Sequence, residues 1–256
     1  MSRVIAITNQ KGGVGKTTTN INLATCLAQL GKRVLVVDLD PQGNTTSGFG
    51  VDKFGLQQTV YNLLIGESTL EDVIIPVCVE GVRLLPANID LSGAEIELIA
   101  INEREYRLKS IFDHSRYLFD YVLIDCPPSL NLLTVNALCA ADSVLIPIQC
   151  EYYALEGLTQ LISTIQRVQR KLNPSLLIEG VLFTMYDART NLSNQVVEEV
   201  NKHLGAYAYK TIIPRNVRLS EAPSHGLPIT LYSSDSKGAE AYRLLALEVV
   251  AKTGVA

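Results

Sequence analysis

Two lysines and three aspartates stand where phosphate chemistry could be carried out. The stretch TNQKGGVGKTT, residues 8–18, directly follows a short apolar run, Val4-Ile5-Ala6-Ile7. Gly15-Lys16-Thr17 matches the end of the phosphate-loop pattern G-x-x-x-x-G-K-[ST]. The first glycine of that pattern is replaced by Gln10, and an additional lysine, Lys11, lies next to it. Gly12, Gly13 and Gly15 let the backbone come close to a phosphate with its N–H groups pointing inward. A helix beginning near Lys16 adds its positive N-terminal end. In such a loop Lys16 reaches the β- and γ-phosphates of a nucleotide and the Thr17 hydroxyl ligates Mg²⁺. The nucleotide-binding stretch then runs from Lys11 through Gly12, Gly13, Val14, Gly15, Lys16 and Thr17 to Thr18.

The acids complete this chemistry. Asp125 ends the run Tyr121-Val122-Leu123-Ile124-Asp125, four apolar residues and then a carboxylate, an arrangement that holds an acid near Mg²⁺. Pro127-Pro128 then turns the chain out of the strand. Asp38 and Asp40 follow a second apolar run and point the same way if the strand continues that far. Two like charges so close are costly unless a cation or water separates them, and a Mg–nucleotide site supplies both. Asp40 is assigned to position or deprotonate an attacking water, with Asp38 behind it.

Elements that could place these residues are readable from hydrophobic pattern. Apolar, β-branched runs at 3–8, 33–38, 82–85, 121–125, 143–147 and 176–184 suit strands buried on both faces. Between and after them lie helical patterns at 17–30, 91–100, 103–115, 134–140, 153–172, 192–204 and 238–251. Alternating strand and helix predict an α/β fold, a mostly parallel twisted sheet flanked by helices, as a single domain over residues 1–256. Ligands in such folds bind at the carboxyl ends of the strands, where the lysine loop, Asp38, Asp40 and Asp125 all fall.

Composition narrows the function classes. The chain of 256 residues is 47% hydrophobic and 19% charged, ordinary for a globular protein. It shows no signal-peptide pattern and no apolar stretch approaching a membrane span. Five cysteines, none in C-x-x-C, read as buried thiols of a reducing compartment. His114, His203 and His225 are isolated, so no metal cluster is suggested. A formal net charge of −4 argues against a generally basic nucleic-acid binder. The charge is uneven, however: residues 51–120 hold 6 basic and 12 acidic groups, and residues 180–256 hold 8 and 7. A small basic face in the last third is therefore compatible with the balance.

The motifs together resemble one family. Lys11-Gly12-Gly13-Val14-Gly15-Lys16-Thr17-Thr18 resembles the deviant Walker A motif of the ParA/MinD superfamily of P-loop NTPases. Asp38-Leu39-Asp40-Pro41-Gln42-Gly43-Asn44 resembles its Walker A′ motif, and Asp125-Cys126-Pro127-Pro128-Ser129 its Walker B segment. The segment from Pro214 to Gly226, PRNVRLSEAPSHG, resembles the chromosomal ParA branch. The resemblance implies an ATP hydrolase that uses ATP and Mg²⁺ to partition chromosomes or plasmids. It implies that Lys11 crosses to the neighbour's ATP in a sandwich homodimer. It places Pro214 and Asn216 near the adenine, and Arg189 and Arg218 on double-stranded DNA bound without sequence preference. It also implies a ParB/Spo0J-type protein that stimulates slow hydrolysis, and a cytoplasmic, nucleoid-associated location. Phosphate contacts of this kind carry no base information and predict a salt dependence with a slope of about −0.9 per phosphate.

Two other readings stay open at this level. A MinD-like membrane-associated ATPase needs an amphipathic C-terminal anchor, whereas the apolar residues of 244–251 read as the core face of a final helix. A metabolic relative, of the nitrogenase iron-protein or amidoligase type, is the other. The first of these needs a bridging cysteine that Cys126 alone does not supply. No long N-terminal helix-turn-helix extension precedes the lysine loop, which disfavours operator binding.

Overall fold

Val4 and Ala6 are buried on one side of a central sheet, and Ile5 and Ile7 on the other. This double burial is why the run shows no polar alternation. The computed structural model describes residues 2–113, 118–151 and 154–253. Its strands are β1 (Arg3–Ile7), β2 (Val34–Asp38), β3 (Ile75–Pro76), β4 (Val82–Leu85), β5 (Tyr121–Asp125), β6 (Ser143–Gln149) and β7 (Leu177–Thr184). They form one sheet in the order β3-β4-β2-β5-β1-β6-β7. Every pairing is parallel except the short edge contact of β3 with β4. The order reverses around β1 and β5, so the crevice at their carboxyl ends is the binding position of an open α/β sheet.

The helices are α1 (Lys16–Gln29), α2 (Asn44–Gly48), α3 (Val60–Ile65), α4 (Leu70–Val73), α5 (Leu91–Glu97), α6 (Arg107–Asp113), α7 (Leu132–Ala140), α8 (Ala154–Lys171), α9 (Asn191–Leu204), α10 (Val217–Glu221), α11 (Ile229–Tyr232) and α12 (Lys237–Thr253). One core joins Val37, Val122 and Ile146 to Leu63, Leu133 and Leu161 from α3, α7 and α8. The opposite core joins Ile7, Val36 and Leu123 to Leu23 and Leu27 of α1 and Leu245 of α12. In α12, Ala239, Tyr242, Leu245, Ala246 and Val249 are all buried in this second core, and the Tyr242 hydroxyl lies 3.2 Å from Thr19 Oγ1. Leu245, Ala246 and Val249 thus face the core as expected, whereas Leu244 and Leu247, read as part of the same core face, are 51% and 52% exposed. Among the described residues no helix is long and apolar enough to cross a membrane.

The departures from the sequence reading have local causes. The helix expected over 103–115 begins as a 3₁₀ turn, Arg104–Tyr106, because Glu103 takes a left-handed φ of 54°. The α-helix proper is Arg107–Asp113, and the expected end at Ser115, like His114, lies outside the described residues. The expected start of α8 at Tyr153 also lies outside them. The helix over 91–100 tightens into a 3₁₀ turn at Leu98–Ala100. The short helices α2, α3, α4, α10 and α11 and the two-residue β3 are too brief to carry a periodic signal. Cys26, Cys126, Cys139 and Cys150 are buried, but Cys78 is exposed, against the reading of these thiols as buried.

The segment ending in Gly226 has a packing role of its own. Gly226 has φ +64°, and a Cβ there would lie 2.5 Å from the Gly50 Cα, just beyond α2. Gly226→Ala is expected to destabilise the protein by roughly 2–4 kcal/mol, from left-handed strain plus a backbone clash. Urea unfolding checks this, and a midpoint equal to wild type contradicts the packing assignment.

Candidate active site

The lysine loop connects β1 to α1. Gly13 and Gly15 adopt φ of 74° and 88°, which side-chain-bearing residues resist. The loop is tied down from three sides. Asn9 Oδ1 accepts the Lys11 N–H at 3.0 Å, while its amide donates to Pro147 O at 2.7 Å. The Thr184 hydroxyl, at the end of β7, lies 2.8 Å from Val14 O and 3.0 Å from Ile148 O.

The two lysines differ in environment. Lys16 is buried, with Nζ donating to Lys11 O at 3.1 Å. Burial lowers its pKa, and the charges of Asp125 and Asp40 oppose that shift. Lys11 is exposed and pairs with Glu151 at 2.5 Å, with the two side chains 42% and 45% exposed. It therefore reaches outward and is held by a carboxylate of its own chain.

Asp38 and Asp125 are register partners on adjacent strands, and both are fully buried. Asp125 Oδ2 accepts the Thr17 hydroxyl and the Thr45 hydroxyl, each at 2.7 Å. Among the described residues, the buried Asp125 Oδ1 has no hydrogen-bond partner. Burial, and then the charge of Asp38, push the Asp125 carboxyl up to about 7. Asp38 is pushed up to about 6, mainly by burial. Its Oδ2 accepts the Thr46 N–H at 2.8 Å and the Thr46 hydroxyl at 2.7 Å, which anchors the start of α2. β2 ends at Asp38, so strand alternation does not govern Asp40. Asp40 instead sits in a turn, where Oδ1 accepts the Gln42 N–H at 2.9 Å and its carbonyl accepts the Gly43 N–H at 2.8 Å. Thr45 and Thr46 were not foreseen. Their only sequence signal is a pair of hydroxyls just after the Asp-Pro-Gln-Gly turn.

A cavity of about 500 Å³ opens beside the loop, lined among others by Gly15, Thr18, Thr184, Pro214, Asn216 and Tyr242. The structure thus brings Pro214 and Asn216 to the loop that carries Lys16. Asn216 also caps α10, accepting the Arg218 N–H at 2.8 Å. Arg189, on a loop, and Arg218, in the first turn of α10, are not among the residues lining this cavity, and both side chains are exposed. Among the described residues no three His, Cys, Asp or Glu side chains cluster as a metal ligand set.

Comparison with known proteins matches this arrangement. A family model described as an AAA domain covers residues 2–178. The sporulation initiation inhibitor protein Soj of Bacillus subtilis is 60% identical over 98% of this chain and 99% of its own length. The chain belongs to the ParA/Soj family of chromosome-partitioning ATPases. The chromosome partitioning protein ParA of Caulobacter vibrioides, another relative, is 53% identical over 98% of this chain and 94% of its own. Among solved structures, cobyrinic acid a,c-diamide synthase from Mycobacterium smegmatis with bound ATP analogue and magnesium superposes with a TM-score of 0.86. It is 40% identical and covers 100% of this chain and 97% of its own.

Proposed function

We propose that this ParA/Soj-family chain hydrolyses ATP with Mg²⁺ to switch between a free form and a DNA-bound sandwich dimer. One observation carries the nucleotide reading. The Thr17 hydroxyl and Asp125 meet at 2.7 Å beside the Lys16 loop, and Asp125 Oδ1 is buried without a partner. A buried, unpaired carboxylate oxygen at this place fits a hydrated divalent cation held through Thr17. Thr17 and Asp125 would hold Mg²⁺, which would supply positive charge to offset the negative charge developing on the phosphates.

The chain's own residues supply the rest. Lys16 and the N-terminal end of α1 hold the phosphates. The cavity beside Pro214 and Asn216 has room for the base. Asp40 positions the attacking water from a turn that its own side chain stabilises. Lys11 reaches the neighbour's phosphates, where a cation supplied in trans stabilises the transition state. It must first leave Glu151, an exposed pair weak enough to exchange. Dimerisation therefore depends on ATP, which supplies the anion that Lys11 meets across the interface. Arg189 and Arg218 contact DNA phosphates on that dimer, and a ParB-type partner accelerates hydrolysis to reset it. The 40%-identical structure, a cobyrinic acid a,c-diamide synthase, favours an amidoligase relative, but chromosome-partitioning proteins match at 51–53% identity.

Arg218→Glu tests the DNA step. The variant is expected to bind ATP as wild type does and to lose ATP-dependent retention on random-sequence duplex DNA at least about tenfold. Unchanged retention overturns the assignment of Arg218.

A further inference from the structure

Both arginines assigned to DNA already grip an anion within their own chain. Arg189 donates from Nε to Asp187 Oδ1 at 2.9 Å and from Nη2 to Asp187 Oδ2 at 2.6 Å, a two-bond fork. Arg218 donates from Nη1 to Glu221 Oε2 at 2.9 Å. The carboxylates are themselves held in place. Asp187 Oδ1 also accepts the Arg189 N–H at 3.1 Å, and the Asp187 carbonyl accepts the Thr190 hydroxyl at 3.0 Å. Glu221 Oε2 accepts the Tyr232 hydroxyl at 3.1 Å, and the Tyr232 ring stacks on His225 at 4.8 Å.

The two loops form one platform. The Tyr186 N–H donates to Ile213 O at 3.1 Å, and the Arg215 N–H donates to Tyr186 O at 2.9 Å. This bridge joins the loop bearing Arg189 to the segment that leads through Asn216 into α10 and Arg218. Both strands of the bridge abut the nucleotide cavity, through Met185 and Pro214.

We propose that Asp187 and Glu221 are built-in phosphate surrogates that set the strength of DNA binding, so that each DNA contact is an exchange of carboxylate for phosphate. The inference rests on the reading of Arg189 and Arg218 as DNA contacts. A guanidinium donates to a carboxylate or a phosphate oxygen alike, through two bonds for Arg189 and one for Arg218, so each internal pair holds its arginine in a conformation competent for DNA. Exposed ion pairs are weak, so a duplex with its high phosphate density displaces the carboxylates. The displaced acids stay beside the DNA and repel it, which lowers affinity without removing a contact. A partitioning protein that must let go of DNA in each cycle gains from such weakening.

The test uses the double variant Asp187→Asn, Glu221→Gln in the full chain. Asn keeps an acceptor for the Arg189 N–H, and Gln keeps one for Tyr232. Binding to random-sequence duplex DNA is measured by fluorescence anisotropy with a slowly hydrolysed ATP analogue. The variant is expected to bind about three- to tenfold more tightly than wild type, with ATP turnover in the absence of DNA unchanged. A control, Glu71→Gln with Glu80→Gln, removes the same charge from the acidic block and is expected to change affinity less than twofold. Affinity unchanged or weakened in the double variant overturns the proposal, provided wild type binds and Arg218→Glu does not. Equal tightening in the control also overturns it, since bulk charge then explains the effect. If wild type itself binds no DNA with ATP, the DNA reading falls first and the surrogates fall with it.

Discussion

Asp125→Asn is expected to melt at a higher temperature than wild type without nucleotide, while losing Mg²⁺-dependent ATP turnover at least about a hundredfold. Both effects come from one carboxylate. Asp125 is fully buried next to Asp38, and among the described residues its carboxylate accepts only the Thr17 and Thr45 hydroxyls, both at Oδ2. Burial and the Asp38 charge push it up to about 7. The folded protein therefore binds more protons than the unfolded chain between roughly pH 4 and pH 7. Wild-type stability consequently falls as pH rises through that window, and Asp38, pushed up to about 6, adds to the fall. An amide carries no charge to desolvate, and its oxygen still accepts from both threonines. The gain is thus fully present above about pH 7, of order a few kcal/mol, and fades toward pH 4. Thermal melts in chelator at about pH 8 and pH 5 measure it. The Tm difference should shrink at the lower pH, and a variant less stable than wild type at about pH 8 contradicts the account. The charge that destabilises the free protein is the one that fits a divalent cation. Functional sites commonly hold such a conflict, and on the proposed reading a cation at Asp125 Oδ1, which has no partner among the described residues, would resolve it.

How far the sequence revealed this depends on the scale of each interaction. β1, β2 and β5 were legible because burial on both faces leaves unbroken apolar runs, and Asp125 because it ends one of them. Lys16 and Thr17 were legible because a phosphate loop demands a fixed spacing behind a strand. Thr45 and Thr46 were not, since a five-residue helix has no period to detect and a hydroxyl there reads as an ordinary turn residue. The Lys11–Glu151 pair was hidden by distance, because 140 residues and the crossing of the sheet separate its members. Asp187 and Glu221 were hidden in the opposite way. They sit two and three residues from their arginines, where a carboxylate looks like any exposed acid until its geometry is seen. Glu103 shows a further limit, because one left-handed residue splits a pattern that propensity reads as continuous.

Lys11→Ala and Lys16→Ala are expected to fail in different ways. Lys16 is buried in the loop with its Nζ 3.1 Å from Lys11 O, under the influence of Asp125 and Asp40. Its removal takes away a charge-assisted hydrogen bond to a phosphate, which should weaken ATP binding at least about tenfold. Lys11 is exposed and engaged with Glu151, so its removal leaves the loop's own phosphate cradle intact. Nucleotide affinity of the isolated subunit should then stay within about threefold of wild type. What Lys11→Ala should lose is the cation delivered across the dimer, with turnover reduced on the order of a thousandfold and no ATP-dependent dimer in light scattering. Nucleotide titration and sedimentation on the same samples separate the two cases. Identical behaviour of the two variants excludes the division of labour, because one lysine would then serve a single subunit and the other would be redundant with it. A Lys11→Ala protein that still dimerises with ATP but does not hydrolyse it keeps Lys11 in the transition state and removes it from assembly. That outcome would place the ATP dependence of the dimer on the loop backbone and on the turn carrying Asp40.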